Sequence, residues 1–306
     1  MKTMLKGTAP AKINLTLEVL GRREDGYHAL ASVFHTLHLA DEVRMEIMPA
    51  DRASPLEIEL EVEGFPAPAD SRNSVWQAIA RFWEAMPFGA QVRVWLHKCI
   101  PMQAGLGGGS SDAATVLRLL ADWAHAQGLP VPDLQNIAES VGSDVPFFLR
   151  GGCAYVSGRG EHGEPLPPLP PFWWVLAKPP SVGVPTGWAY AQLRRPPLTD
   201  SEPAAPYTER LVNALKSGAI QTPDALAPYL HNDFEAVVLP AFAELRALAK
   251  QMERLEVLRV LLCGSGATLT GLCHSEAHAL HAADALQQQG YWSVASCLVG
   301  GNILSQ

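Results

Sequence analysis

The stretch Pro101-Met102-Gln103-Ala104-Gly105-Leu106-Gly107-Gly108-Gly109-Ser110-Ser111-Asp112 lies between a strand pattern and an amphipathic helix pattern. Glycines at this density let the backbone turn its N–H groups inward and let a ligand approach closely. The free N–H groups and positive dipole end of the following helix then favour an anion. The loop is not a P-loop, which needs G-x-x-x-x-G-K-[ST], because no lysine follows the glycines. Nor is it a dinucleotide fingerprint: counting G-x-G-x-x-G from Gly105 puts Ser110 in the last position. A plain glycine hinge accounts poorly for three consecutive glycines followed by paired hydroxyls. The loop by itself points to phosphate and not yet to a reaction.

Working outward, Val92–Lys98 is a strand running into the loop. The helix after it has apolar residues at 113, 116, 117, 120 and 124, a 3.6-residue stripe. Upstream, residues 9–19 alternate, with Ala11, Ile13, Leu15, Leu17 and Val19 on one side and Lys12, Asn14, Thr16 and Glu18 on the other. This predicts a half-buried strand whose polar face is ordinarily solvated. Arg22–His28 reads as a loop turning at Gly26, residues 43–48 and 56–62 as a strand pair, and Ser74 as the start of a helix. A short helix opened by Pro132 and Asp133 ends at Gly142, read as a C′ glycine. Asp144, just past that helix, then lies at the unfavourable end of its dipole, a placement suggesting a functional carboxylate.

Gly151–Gly160 reads as a strand with glycine ends, and the proline-rich 164–171 as a domain joint. In the second half, Trp173–Lys178 reads as a buried strand. Helices near 209–217, 241–254 and 275–289 and a strand at 292–299 follow. A second glycine turn, Gly264-Ser265-Gly266, comes after Leu255–Leu262. The order of strands and helices implies an α+β fold with a split βαβ second half, divided as 1–160 and 161–306.

The chain has 306 residues, 48% of them apolar and 18% charged, which suits a globular protein with a substantial core. A formal charge of −8 argues against a broad nucleic-acid footprint but leaves room for a local anion site. Five scattered cysteines without a C-x-x-C pair suit a reducing cytoplasm, and Cys263 and Cys273 read as buried apolar residues. No apolar stretch has the length of a membrane span, and the N-terminus lacks a signal-peptide core, so a cytoplasmic protein with no membrane partner is expected.

Three separated motifs, Pro10-Ala11-Lys12-Ile13-Asn14-Leu15, the glycine–serine loop and Cys263-Gly264-Ser265-Gly266-Ala267-Thr268, together resemble the GHMP small-molecule kinases. Asp25-Gly26-Tyr27-His28, Gly142-Ser143-Asp144-Val145-Pro146-Phe147-Phe148, Gly158-Arg159-Gly160-Glu161, Pro185-Thr186 with Tyr190, and Asn232-Asp233-Phe234-Glu235 point to a branch acting on a cytidyl diphosphate sugar alcohol. Gln103 departs from the small residue usual in that loop, Cys263 replaces a small hydroxylic residue, and 195–207 is extended.

The resemblance implies a two-domain GHMP fold, with a nucleotide-binding N-terminal domain, a ferredoxin-like C-terminal domain and a cleft between them. It implies transfer of the ATP γ-phosphoryl group, with Mg2+, to a tertiary hydroxyl of the acceptor in isoprenoid precursor synthesis. Asp144 and Lys12 match the catalytic pair. Asn73, Lys98 and Pro101 through Ser111 (Met102, Gln103, Ala104, Gly105, Leu106, Gly107, Gly108, Gly109 and Ser110 between them) match the ATP-binding positions. Asn14, Tyr27, His28, Thr186, Tyr190, Gly264, Ser265 and Gly266 match the acceptor-binding positions, with Tyr27 and Tyr190 placed to sandwich a cytosine ring. No metal ligand is identified, and a monomer or homodimer is expected. The competing readings are a kinase of the same fold for mevalonate, homoserine or a sugar, a non-catalytic ligand sensor, and, more distantly, a dinucleotide oxidoreductase.

Overall fold

The computed structural model describes residues 2–51, 54–198 and 204–300. Its first half contains β1 (Thr3–Arg22), β2 (His28–Pro49), β3 (Leu56–Gly64), α1 (Ser74–Trp83), β4 (Ala90–Lys98), α2 (Gly108–Ala126), α3 (Leu134–Val141) and α4 (Val145–Arg150). β5 (Cys153–Ser157), β6 (His162–Pro165), β7 (Trp173–Lys178), α5 (Thr186–Leu193), α6 (Pro206–Lys216), α7 (Pro223–Leu226) and β8 (His231–Asn232) follow. The chain closes with α8 (Glu235–Ala241), α9 (Ala243–Arg254), β9 (Arg259–Leu262), β10 (Leu269–Leu272), α10 (Glu276–Gln288) and β11 (Trp292–Cys297). None of the described helices is long and apolar enough to cross a membrane.

The chain divides into two compact units. One is built from Met1–Ala11, Leu39–Met102 and Gly107–Arg150, the other from Lys12–His38, Gln103–Leu106 and Gly151–Gln306. Where the sequence suggests one cut near residue 160, both units are discontinuous, because β1 and β2 each contribute to both.

In the first unit, β4 pairs antiparallel with the second half of β2, from Glu42↔His97 to Pro49↔Ala90. On its other side β4 pairs parallel with β3, from Leu56↔Ala90 to Gly64↔Lys98. The expected pairing of 43–48 with 56–62 is therefore corrected: β4 lies between them. Local sequence cannot disclose this, since β4 arrives later in the chain and takes the inner edge of both strands. Helix α1 forms where Asn73 caps it, its side chain accepting from Val75 N at 2.9 Å, and its stripe of Val75, Ile79 and Phe82 is fully buried. Trp83 of α1 stacks on Trp123 of α2 with ring centroids 5.5 Å apart.

In the second unit, β1 pairs parallel with β8 through Thr16↔His231 and Leu17↔Asn232. The first half of β2 pairs with β5, and β5 forms a hairpin with β6. A separate antiparallel sheet has the order β11-β7-β10-β9. Numbered within itself that sheet runs 4-1-3-2, the ferredoxin-like arrangement the split βαβ pattern predicts. α9 and α10 cover it, with Leu245, Leu248 and Met252 of α9 and Ala279, Ala282 and Leu286 of α10 in one cluster with Val175, Leu262 and Leu269.

The half-buried reading of residues 9–19 is also corrected. Lys12, Asn14, Thr16 and Glu18 are 3%, 1%, 0% and 6% exposed, so β1 is buried on both faces from residue 9 to residue 19. α6 covers part of the polar face: Thr208 Oγ1 donates to Thr16 Oγ1 at 3.0 Å, and Thr208 N donates to Glu18 Oε2 at 2.8 Å. Buried polar groups persist where each finds such a partner. Residues 199–203 of the extended stretch 195–207 lie outside the described residues.

Candidate active site

In the first unit the glycine loop leaves the end of β4 and returns at the start of α2. Gly107 adopts φ 73°, and no side chain caps α2, so its first N–H groups stay available to a ligand. A Cβ on Gly108 would lie 3.0 Å from Ile100 Cγ2 and 3.2 Å from Lys98 Nζ, so glycine there fits a crowded backbone. Ser110 is half-buried beside this opening. Ser111 is fully buried in the first turn of α2, and its hydroxyl finds no hydrogen-bond partner.

Lys98 is enclosed. Its ammonium donates to Asp112 Oδ2 at 2.5 Å and to Asp41 Oδ2, with all three side chains buried. The other Asp41 oxygen accepts from Cys99 N at 2.5 Å and Ile100 N at 2.8 Å. Burial works to lower the Lys98 pKa, but Asp112 and Asp41 outweigh it and raise it. Burial pushes the Asp112 carboxyl up to about 8 against the attraction of Lys98, with Asp41 pushing the same way. Asn73, besides capping α1, donates from Nδ2 to Pro68 O at 2.7 Å.

Asp144 stands immediately before α4, in a turn that follows α3. The unfavourable helix end expected at Asp144 is therefore corrected. The apolar run 145–149 is itself helical, and Asp144 precedes its N-terminus, where a carboxylate is favoured. Gly142 does not take the left-handed C′ conformation either; its φ of 178° is extended backbone. α4 is tied to α2 by Arg118, which donates from Nη1 to Phe148 O at 2.9 Å. A Cβ on Gly142 would lie 3.9 Å from Ser110 Oγ, so the turn carrying Asp144 adjoins the first turn of α2.

In the second unit the Lys12 ammonium donates to Asn14 Oδ1 at 2.7 Å and lies 4.5 Å from the centre of the Phe34 ring. The same Asn14 oxygen accepts from Gly264 N at 3.1 Å, while Asn14 Nδ2 donates to Ser32 Oγ at 3.0 Å. Asn14 thus joins Lys12 to the second glycine turn, its amide already engaged on both sides. Asn232 fixes that turn, donating to Leu262 O at 2.7 Å and Gly264 O at 2.8 Å.

The middle of the glycine loop packs on these elements. Ala104 and Leu106 are buried; the Leu106 carbonyl accepts from Lys12 N at 2.9 Å and the Ala104 carbonyl from Thr268 N at 3.3 Å. Gly105, with φ 77°, lies so close to Cys263 that a Cβ would come within 2.0 Å of the Cys263 carbonyl oxygen. Gln103 takes φ 50°, a left-handed backbone that favours glycine, which accounts for the small residue the resemblance leads one to expect there. Cys263 donates from Sγ to Gly105 O at 3.3 Å, and Cys263 and Cys273 are buried.

The acceptor-side residues are only partly gathered as the sequence suggests. Tyr190 stacks on His28, with centroids 4.8 Å apart and planes 20° apart, and meets Phe234 edge-on. Burial, then the charge of Arg22, hold the His28 imidazole below its ordinary pKa. Tyr27 is 54% exposed, and the Arg159 guanidinium lies 5.2 Å from its ring centre. Thr186, which opens α5, lies with its Oγ1 3.1 Å from Ser265 Oγ. Asp41 and Ser32 are not among the residues the sequence singles out, and Arg159 stands there only within a motif, with no role assigned. Asp41 and Ser32 carry no local motif, since their partners are distant in the chain.

An uncapped helix start after a glycine loop, beside a turn bearing a carboxylate, together with a ferredoxin-like second sheet, fits a small-molecule kinase of the GHMP class. The profile described as GHMP kinases N terminal domain matches residues 73–152, and that described as GHMP kinases C terminal matches 211–291. The chain belongs to the GHMP kinases. A 4-diphosphocytidyl-2-C-methyl-D-erythritol kinase of Synechococcus sp. is 40% identical over 284 residues, covering 92% of this chain and 89% of that protein. A crystal structure of 4-(cytidine 5'-diphospho)-2C-methyl-D-erythritol kinase superposes with a TM-score of 0.73 at 38% identity, covering 97% of this chain and all of the other. A homoserine kinase from Cytophaga hutchinsonii shares the fold, with a TM-score of 0.68 at 18% identity and coverage of 98% of this chain and 96% of that one.

Proposed function

We propose that this chain transfers the γ-phosphoryl group of ATP to the 2-hydroxyl of 4-diphosphocytidyl-2-C-methyl-D-erythritol, giving the 2-phosphate and ADP in non-mevalonate isoprenoid precursor synthesis. The observation that carries the reading is the 40% identity to a kinase of that name over nearly the whole chain. Phosphoryl transfer chiefly requires positioning and stabilisation of charge on the phosphoryl oxygens. The uncapped start of α2 and Ser110 bind the ATP phosphates, with glycine at 107 allowing the left-handed turn and glycine at 108 fitting the crowded backbone above Ile100 and Lys98. Asp144 orients the acceptor hydroxyl and takes its proton late in the transfer. Lys12 stabilises the oxygen being phosphorylated, and Asn14 holds the Lys12 ammonium for that role.

Tyr27, His28 and Tyr190 recognise the cytidyl group, with the exposed Tyr27 ring as the stacking surface. Thr186 and Ser265 present hydroxyls to the acceptor. Among the described residues no group of three or more His, Cys, Asp or Glu side chains gathers to hold a metal. We take the nucleotide to be used as its magnesium complex, the hard cation being held by phosphate oxygens. The test is ADP release with magnesium-ATP and the cytidyl acceptor, beside mevalonate, homoserine and galactose. Turnover with the cytidyl acceptor alone is expected. Turnover only with another alcohol would overturn the acceptor assignment, and silence with all four would favour a ligand sensor.

A further inference from the structure

The cluster of Asp41, Lys98 and Asp112 is a group of three buried charged side chains that the phosphoryl-transfer scheme above does not use. Asp41 lies on β2, Lys98 ends β4, and Asp112 sits in α2. Asp41 alone makes three connections. It accepts from two successive backbone N–H groups, those of Cys99 and Ile100, at the point where the chain departs for the glycine loop. Its second oxygen accepts from Lys98, whose ammonium also reaches Asp112 on the far side of the loop. The Lys98 carbonyl accepts from Phe65 N at 3.0 Å, so the strand end is held from the other flank as well. A Cβ at Gly108 would approach the same ammonium, which places the lysine head directly beneath the start of α2.

The geometry points to a positioning role: Asp41, acting through Lys98 and Asp112, clamps the two ends of the glycine loop at a fixed separation and so sets the affinity for the ATP phosphates. The inference deepens the kinase reading and rests on the glycine loop being the nucleotide site. On this account Lys98 works from beneath the loop, as the bridge between two carboxylates, and does not itself need to reach the nucleotide.

Charge balance divides the carboxylates into two roles. Two carboxylates and one ammonium in a dry site carry one excess negative charge, and burying an unbalanced charge is costly. Asp112 is the member that sheds it, for three reasons. Its Oδ1 has no hydrogen-bond partner, whereas every Asp41 oxygen has one. Its carboxyl is already pushed up to about 8 by burial. Asp41, by contrast, needs both oxygens as acceptors, one for backbone N–H groups and one for the ammonium. An amide at 112 can keep an oxygen toward Lys98 and lose only the surplus charge. At position 41 it must aim an N–H group either at the Lys98 ammonium or at the Cys99 and Ile100 N–H groups.

The test measures binding of magnesium-ATP by calorimetry without acceptor, then steady-state kinetics, for Asp41→Asn, Asp112→Asn and Asp112→Ala. Asp41→Asn is expected to raise the ATP dissociation constant and KM about tenfold or more. Its kcat at saturation should change less than threefold, and its acceptor KM less than twofold. Asp112→Ala should weaken ATP binding and Asp112→Asn restore it to near the wild-type value. A purely structural role would instead lower Tm without separating KM from kcat. Asp41→Asn binding ATP within twofold of wild type would overturn the clamp, as would Asp112→Asn binding it no better than Asp112→Ala. If Asp41→Asn does not fold, Lys98→Met is compared with Lys98→Met/Asp112→Asn. The double variant, with one buried carboxylate fewer, should melt higher and bind ATP more tightly, and the reverse order refutes the charge argument. A wild-type chain that binds ATP but does not phosphorylate the cytidyl acceptor overturns the acceptor assignment alone. One that does not bind ATP overturns the clamp together with the nucleotide site.

Discussion

Replacing Gly105 by alanine tests whether the close packing of the glycine loop on the second glycine turn serves nucleotide binding. Two costs are expected, and a second variant separates them. Gly105 and Gly128 both hold left-handed backbone, at φ +77° and +67°, and a Cβ at Gly128 would meet nothing within 4 Å. Forcing an L-residue into that region costs about 1–2 kcal/mol. For a domain of this size, 1 kcal/mol lowers Tm by about 2–4 °C. Gly128→Ala, at the far end of α2, should show that loss alone, with ATP kinetics unchanged.

At Gly105 the added Cβ would come within 2.0 Å of the Cys263 carbonyl oxygen, so the loop and the turn must part by about 1 Å. The Leu106 carbonyl, which accepts from Lys12 N, shifts with them. A displacement of about 1 Å in a reacting site costs on the order of 10²-fold in rate. The assay is Tm by differential scanning fluorimetry together with KM for ATP and kcat for both variants. Gly105→Ala is expected to lose at least tenfold in kcat/KM for ATP beyond any loss in Gly128→Ala. If the two variants lose equal Tm and Gly105→Ala keeps wild-type kcat/KM, close packing is not what the site requires.

Other perturbations test the remaining roles. Asp144→Asn should keep the fold and the ATP dissociation constant while removing most turnover, read by calorimetry and by ADP release; wild-type turnover would rule out its role. Tyr27→Ala should raise the acceptor KM roughly five- to 150-fold, the span of about 1–3 kcal/mol for stacking one base, and leave ATP affinity unchanged. An unaltered acceptor KM would show that the base stacks elsewhere. His35 is fully buried, and burial holds its imidazole down to about 4 against an ordinary 6.5, despite its hydrogen bond with the Thr36 carbonyl. Between those values the unfolded chain takes up the proton and the folded chain does not. Stability should therefore fall as pH drops from about 6.5 toward about 4, by up to roughly 3 kcal/mol in total. His35→Gln should flatten Tm against pH across that window, and an unchanged slope would assign the acid loss to other groups.

Much of the local architecture was legible in the residues. The start of α1 at Ser74, the 3.6-residue pattern of α2 and the strands flanking both glycine turns follow from short-range chemistry. So does the ferredoxin-like alternation of the second half. Each is written within a dozen residues, as spacing of apolar side chains or a glycine turn. The β3–β2 neighbourhood was misread because β4, which separates the two strands, comes later in the chain. Helix α4 after Asp144 is not legible in the sequence, because a six-residue helix with Pro146 in it carries no periodic signal. Lys12 and Asn14 stood out as residue types, but their burial depends on Ser32, Phe34 and Gly264, which lie 18 to 250 positions away. The sequence by itself determined that a glycine-rich loop feeds a helix and that a lysine, an aspartate and two tyrosines accompany it. Only the tertiary structure decided that Asp41 and Lys98 meet Asp112 beneath that loop. A buried ion cluster is specified by which strands become neighbours, and sheet register between distant segments leaves no mark in local spacing.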